Sequence, residues 1–288
     1  MEHKRTAWLS AAIFSVMMVS VAWASPLSGP GDAPITPVGD ATPLGEAYML
    51  IDHWGGTWYD AEKKPFDPDD GQLCWAAAAS NMLKWGGWAD APGMNFPSSY
   101  EIFDYYAQHW SNTGGIMEYA WRWWFDGTNP AQGWPGWAQV TEPGGAFYPD
   151  LTFTDYYLRS WQQSNAMPAI DDFLRQGYGV TVAIYGGGSH ALTVWGFNFD
   201  PDNPDQYYGV WVTDSDDDKT NPERIDRLRY YEVQLTDGRF YLQNFYGTYG
   251  TWYLSDVEGL ARVPEPAVLI TLMLGGFAIL RRRAARHA

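Results

Sequence analysis

Cys74 is the only cysteine in the 288-residue chain, so its thiol has no intramolecular disulfide partner. It opens the run Cys74-Trp75-Ala76-Ala77-Ala78-Ala79, which has the composition of a helix start, and Gly86-Gly87 supply a stop. A thiol in the first turn of a helix is favoured as thiolate by the dipole and the free N–H groups there, and the thiolate is the nucleophilic form. An inert buried thiol is the competing reading of a lone cysteine. A thiolate nucleophile needs a group that carries a proton, and between the two terminal segments the chain offers His53, His109 and His190. The first two fit structural or surface roles. His190 instead follows Gly186-Gly187-Gly188, which permits close approach of another chain, and it opens a predicted strand. The next predicted strand ends in Thr213-Asp214-Ser215-Asp216, where period-two alternation puts Asp214 and Asp216 on one face, within reach of His190. Nucleophile, base and carboxylate orienter together form a complete constellation for nucleophilic catalysis.

The acidic run from Asp214 to Asp218 also reads as a solvated loop. Asp214, Asp216 and Asp218 have calcium-loop spacing, but Lys219 stands where the turn glycine belongs and Ile225 where the bidentate glutamate belongs. No metal and no organic cofactor is therefore expected.

The elements that must position these groups are helical first and β-rich later. Helices are predicted over 74–85, from a capping box at Ser98 and Glu101 into 102–110, over 115–124 and over 168–175. An extended segment is predicted near 47–59, and strands over 180–185, 190–199, 207–213, 228–235 and 240–245, with Asp237-Gly238 as the turn of the last hairpin. This order predicts an α+β fold. Seventeen tryptophans point to aromatic core packing, with a platform for sugar rings or apolar side chains as the alternative.

Both ends read as addresses. His3, Lys4 and Arg5, an apolar stretch and Ala22-Trp23-Ala24 predict a signal peptide over 1–24, followed by a flexible leader over 25–45 rich in Pro and Gly. Residues 46–262 then form the folding unit. At the other end, Pro264-Glu265-Pro266 precede an apolar stretch over 267–280 and an arginine cluster. Fourteen residues reach about 21 Å as a helix, a marginal span for a core of roughly 30 Å, but the basic run behind them should stay cytoplasmic. This trio over 263–288 resembles the PEP-CTERM sorting signal of Gram-negative bacteria, which implies recognition by an exosortase and at least transient tethering to the membrane. The formal net charge of −16 repels phosphate backbones and argues against nucleic-acid binding.

Three blocks resemble the immunoglobulin-degrading IdeS/Mac cysteine peptidases, a branch of the papain-like clan. They are Gly56-Thr57-Trp58-Tyr59-Asp60 through Lys64 and Phe66; Asp69-Asp70-Gly71-Gln72-Leu73-Cys74 with Asn81-Met82-Leu83; and His190 with Val194-Trp195-Gly196, leading to Val212-Thr213-Asp214-Ser215-Asp216. The resemblance implies a papain-like fold with Cys74 as nucleophile, His190 as base, Asp214 as its orienter and Asp216 as a further acidic member. It also implies an oxyanion hole from the Cys74 N–H and the Lys64 side chain. Gln72 is too close to Cys74 to match the glutamine of ordinary papain-like enzymes and receives no role. Trp75 departs from the glycine of the immunoglobulin-cleaving members, and the segment from Cys74 to His190 is shorter and richer in tryptophan than theirs, so antibody cleavage does not carry over. The expectation is an exported endopeptidase acting on an extracellular protein. An acyl transferase or amidase with the same triad, and a non-catalytic tryptophan-rich matrix module, are the alternatives.

Overall fold

The computed structural model describes residues 43–264, apart from 65–68, 91–92, 94 and 218–224. The fold is α+β. Strand β1 (Glu46–Met49) runs into a short helix α1 (Leu50–Trp54), and the helical part follows as α2 (Cys74–Trp85), α3 (Ser99–His109) and α4 (Met117–Asp126). After β2 (Tyr157–Ser160) and α5 (Ala166–Arg175) come β3 (Tyr178–Tyr185), β4 (Ser189–Asp200), β5 (Asn203–Thr213), β6 (Arg229–Thr236), β7 (Arg239–Leu242) and β8 (Tyr253–Ala261).

Six of the strands close an antiparallel barrel in the order β4-β3-β8-β7-β6-β5, with β5 pairing back onto β4; β1 and β2 add to β4 and β8. Closure leaves no free edge within that ring, and the register shifts on β3 and β4 supply the bends it needs. The β6–β7 hairpin turns through Asp237 and Gly238, both at positive φ (50° and 73°), as the sequence predicts for this dipeptide.

Helix α2 packs against α3, α4, β3 and β4. Its alanines make that possible: Trp75 through Leu83 are all buried, so a chain of small side chains lets helices and barrel close on it from several sides. Helix α5 buries Ala166, Met167, Ala169, Ile170, Phe173 and Leu174 on the face toward β3 and β8. Most tryptophans are core. Trp75, Trp88, Trp121, Trp123, Trp124 and Trp195 are fully buried, and edge-on pairs such as Trp75 with Trp110 at 5.1 Å pack the helical part. Trp134 and Trp161 remain exposed.

Several elements depart from expectation. Only 46–49 of the predicted extended segment is strand, and α1 follows it directly. Strand β7 stops at Leu242 because Asn244 and Tyr246 take positive φ (57° and 49°), which ends a ladder. Ser98 does not cap α3 through its backbone; its hydroxyl donates to the Glu101 carboxylate. Strands β2 and β8 were not predicted at all. The signal peptide over 1–24, most of the leader, the Glu265-Pro266 pair, the apolar stretch over 267–280 and the arginine cluster lie outside the described residues. Among the described residues no helix is long and apolar enough to cross a membrane.

Candidate active site

The β4–β5 ladder pairs Thr193 with Thr213, so the residue after Thr213 arrives diagonally beside His190 near the start of β4. That residue is Asp214. Its Oδ1 lies 2.6 Å from His190 Nε2, and both side chains are buried. Three glycines make the approach to His190 possible. Gly186 and Gly188 take φ of 130° and 155°, and a Cβ on Gly186 would sit 1.8 Å from the Thr251 carbonyl oxygen.

A polar knot fixes Cys74 against this pair. Asn81, two helical turns after Cys74 on α2, donates from Nδ2 to the hydroxyls of Thr193 (3.0 Å) and Thr213 (3.4 Å), and its Oδ1 accepts the Ala61 N–H at 2.8 Å. The Thr213 hydroxyl also accepts from Trp195 Nε1 and donates to the Tyr59 carbonyl, which satisfies it fully. One buried junction thus locks α2, β4, β5 and the segment around 59–61. Removing Asn81 would strand several buried donors and acceptors at about 1–3 kcal/mol each.

Cys74 stands in the first turn of α2 and shares the cleft wall with His190 and Ala191. Burial alone pushes the thiol up, but the His190 charge, their hydrogen bond, Lys63 and the Ala191 N–H outweigh it, and Cys74 ends below its ordinary value. Burial likewise opposes the imidazolium, yet the charges of Asp214 and Cys74 and its hydrogen bonds to both raise His190 well above the usual range. Asp214 is held low against its own burial by His190, by the Tyr246 hydroxyl at 2.7 Å and by the Asp216 N–H at 2.9 Å.

The structure brings Cys74, His190, Asp214 and Asp216 together, with Asp216 Oδ2 4.0 Å from His190 Nδ1. It does not bring Lys64. The Lys64 ammonium is half exposed and sits 3.3 Å from Asp104, while its neighbour Lys63 is buried, paired with Asp216 and donating to the Gly71 carbonyl at 3.0 Å. Successive residues of an extended chain face opposite ways, so an offset of one residue moves the charge from surface to site. The lysine beside the site is Lys63, eleven residues before Cys74, and the Lys64 side chain lies apart from it.

Two further neighbours escaped the sequence reading. Tyr246 closes over the His190–Asp214 pair from a loop whose positive φ gave no sequence signal. Gln72, left without a role, lines the cleft beside Cys74, its backbone N–H held by Asn112 Oδ1 at 2.7 Å. This cleft, about 380 Å³, exposes Cys74 and His190 between Gly114-Gly115 and Trp137 on one side and Ala183, Tyr185 and Ser189 on the other. Trp75 shapes the glycine wall: its Nε1 donates to the Thr113 carbonyl, and a Cβ on Gly115 would lie 2.7 Å from its ring.

A thiolate beside an imidazolium, oriented by a carboxylate and open to a cleft, can attack an acyl carbon and return the proton to a leaving group. The chain matches no family model, and a search of curated proteins finds no match to it.

Proposed function

We propose that this protein is a cysteine-type peptidase of papain-like architecture, cleaving peptide bonds of an extracellular protein through a Cys74 acyl-enzyme. The observation that carries this reading is the continuous chain from Cys74 through His190 to Asp214, with the thiol at a helix N-terminus and its outer side facing the cleft. Support for the papain-like order comes from a nucleophile on an early helix and its base and orienter on consecutive barrel strands.

In this mechanism the thiolate attacks the carbonyl carbon, and the His190 imidazolium protonates the departing amine. Water then attacks the acyl-enzyme with His190 as base, which frees the acid and restores the pair. The oxyanion meets the Cys74 backbone N–H and the Gln72 side-chain amide from the cleft wall, while the Lys63 charge behind the site favours the thiolate. Lys64, on Asp104, has no part in it. The sequence of the two ends supports export, and sorting by an exosortase at the Pro264-Glu265-Pro266 motif.

The test is Cys74→Ala in a peptide-library digestion. Turnover should fall by about 10⁴-fold or more while the melting temperature holds. Cleavage by the folded variant at the wild-type rate would remove the nucleophile from the mechanism. Mass spectrometry of protein from its native host should find new termini near Ser25 and near Pro264.

A further inference from the structure

Behind the cleft, the segment that delivers Lys63 and the turn that delivers Asp216 meet a second time. Asp60, Glu62 and Asp217 each present one carboxylate oxygen to a common point, all within 4.8 Å of one another. Asp60 and Glu62 are fully buried and the Asp217 side chain is 3% exposed. Arg229 pairs with Asp217, and the Arg227 backbone N–H donates to Asp60 Oδ2 at 2.8 Å. Lys63 is turned away to Asp216, and Asp226, which adds a further negative charge nearby, accepts from Tyr100. Both oxygens of Glu62 and Oδ1 of Asp60 are buried without a hydrogen-bond donor.

Glu62 and Asp60 thus turn buried oxygen lone pairs with no donor toward a point they share with Asp217. A divalent cation at that point accepts them. We propose that Asp60, Glu62 and Asp217 form a binding site for a calcium ion that ties the 59–63 segment to the 214–217 turn. The ligand set is oxygen only, which selects hard cations over zinc or copper. Metal–oxygen distances of about 2.3–2.6 Å let calcium bridge ligands up to roughly 5 Å apart, whereas magnesium draws them within about 4.2 Å. These are not the residues of the acidic loop considered above; Asp214 and Asp216 are committed to His190 and Lys63. The backbone joins the same two segments, since the Lys63 N–H donates to the Ser215 carbonyl at 3.2 Å, so an ion there would fix the Lys63–Asp216 pair beside Cys74. The site stands whether or not the protein is a peptidase.

The measurement is calorimetric titration of the full chain, stripped with EDTA and freed of it, against calcium chloride, with melting curves in parallel. A single class of site should appear, and calcium at about a hundredfold excess over its dissociation constant should raise Tm by about 5–10 °C. Glu62→Gln and, separately, Asp60→Asn should weaken binding by about 100-fold or more, yet melt no lower than the wild type when all are in EDTA, because each removes a repelling charge. Asp237→Asn, on the exposed β6–β7 turn, should bind as the wild type does. Melting curves identical in EDTA and calcium, with no heat of binding, would overturn the proposal and leave a proton shared between Asp60 and Glu62 as the relief of their repulsion. Undiminished binding by Glu62→Gln would move the ion elsewhere, and tighter binding of magnesium than of calcium would reject the calcium assignment.

Discussion

Two of the buried charge networks on the barrel, around His190 and around Arg159, differ in that only the first holds a nucleophile. Around His190, each acid has its own donors: Asp214 has the imidazole, Tyr246 and a backbone N–H, and Asp216 has Lys63. On β2 and β8, by contrast, Arg159 is shared among Glu118 at 2.8 Å, Asp256 at 3.7 Å and Glu258 at 3.8 Å while lying over the Trp161 ring, and Arg122 takes the other Glu118 oxygen. Burial, against the pull of Arg159 and with the push of Glu118, raises Glu258 to about 8. Both networks therefore perturb ionisation strongly. Only the His190 network holds a nucleophile and opens to a cleft, so a shifted pKa marks a burial problem first and a catalytic site only when geometry joins it.

The largest expected effect separates oxyanion donation from thiolate support. Gln72→Ala should lower kcat by about 100- to 1000-fold while leaving the rate of Cys74 alkylation unchanged, since alkylation forms no oxyanion. Lys63→Ala should slow both, because its charge is one of the forces holding Cys74 low. Lys64→Ala should change neither by more than a few-fold. A slow-turnover, normal-alkylation Lys63→Ala would reverse the two assignments.

Next comes Asp214→Asn, with a loss of about 10- to 100-fold at neutral pH. The thiolate–imidazolium pair exists between the depressed Cys74 and the raised His190, so activity should be bell-shaped in pH. It fails in acid as the thiolate gains a proton and in alkali as the imidazolium loses one. Asparagine drops the charge that raises His190 and puts a donor where one accepting oxygen stood, so the alkaline limb should move toward neutral. An unmoved limb in kcat/KM profiles would detach Asp214 from that role.

How much of this was written in the sequence depends on which residues carried a periodic signal. Helix α2 could be read from its alanines to the last residue, and β3, β4 and β5 from their β-branched and aromatic runs. Strand β8 could not, because Ser255, Asp256, Glu258 and Gly259 make it look like a polar loop; it is nonetheless a barrel strand between β3 and β7, where Arg159 from β2 meets its acids. The same blindness hid the burial of Asp60, Glu62 and Lys63, on a segment with no periodic pattern. Spacing along the chain found Cys74, His190 and Asp214, but the side a residue faces on an irregular extended segment is set by tertiary contacts, hence Lys63 rather than Lys64 beside the site.

The Arg159 network gives a prediction of stability without catalysis. A carboxyl raised in the folded state favours folding while protonated, and that contribution is lost as pH rises from about 4.5 through about 8. Glu258→Gln should therefore raise Tm by several degrees at pH 9, leave it nearly unchanged at pH 4, and leave kcat alone at both. A loss of turnover without loss of stability would join the two networks.

The smallest effect should belong to Tyr246. Its hydroxyl donates to Asp214 Oδ2 at 2.7 Å and lies 3.5 Å from His190 Nε2, too far and too poorly placed to compete for that nitrogen. Burial and the Asp214 charge push its own ionisation far up, so it stays a neutral donor at any working pH. Tyr246→Phe removes one of several hydrogen bonds that hold Asp214 low and still, and leaves the ring packed on Phe245. One such bond to a charged group is worth about 1.5–3 kcal/mol, but Asp214 keeps the imidazole and the Asp216 N–H on its other oxygen, so only part of that reaches the reaction. The expected result is a 3- to 10-fold fall in kcat with KM unchanged and Asp214 titrating higher by NMR. The φ of 49° at this residue adds a second arm: Tyr246→Gly relieves the strained backbone but deletes the ring, so it should lose more activity than Tyr246→Phe while gaining no protection of the loop. If phenylalanine proves as damaging as glycine, the hydroxyl is contributing to His190 directly, and the neutral-donor role given to Tyr246 is wrong.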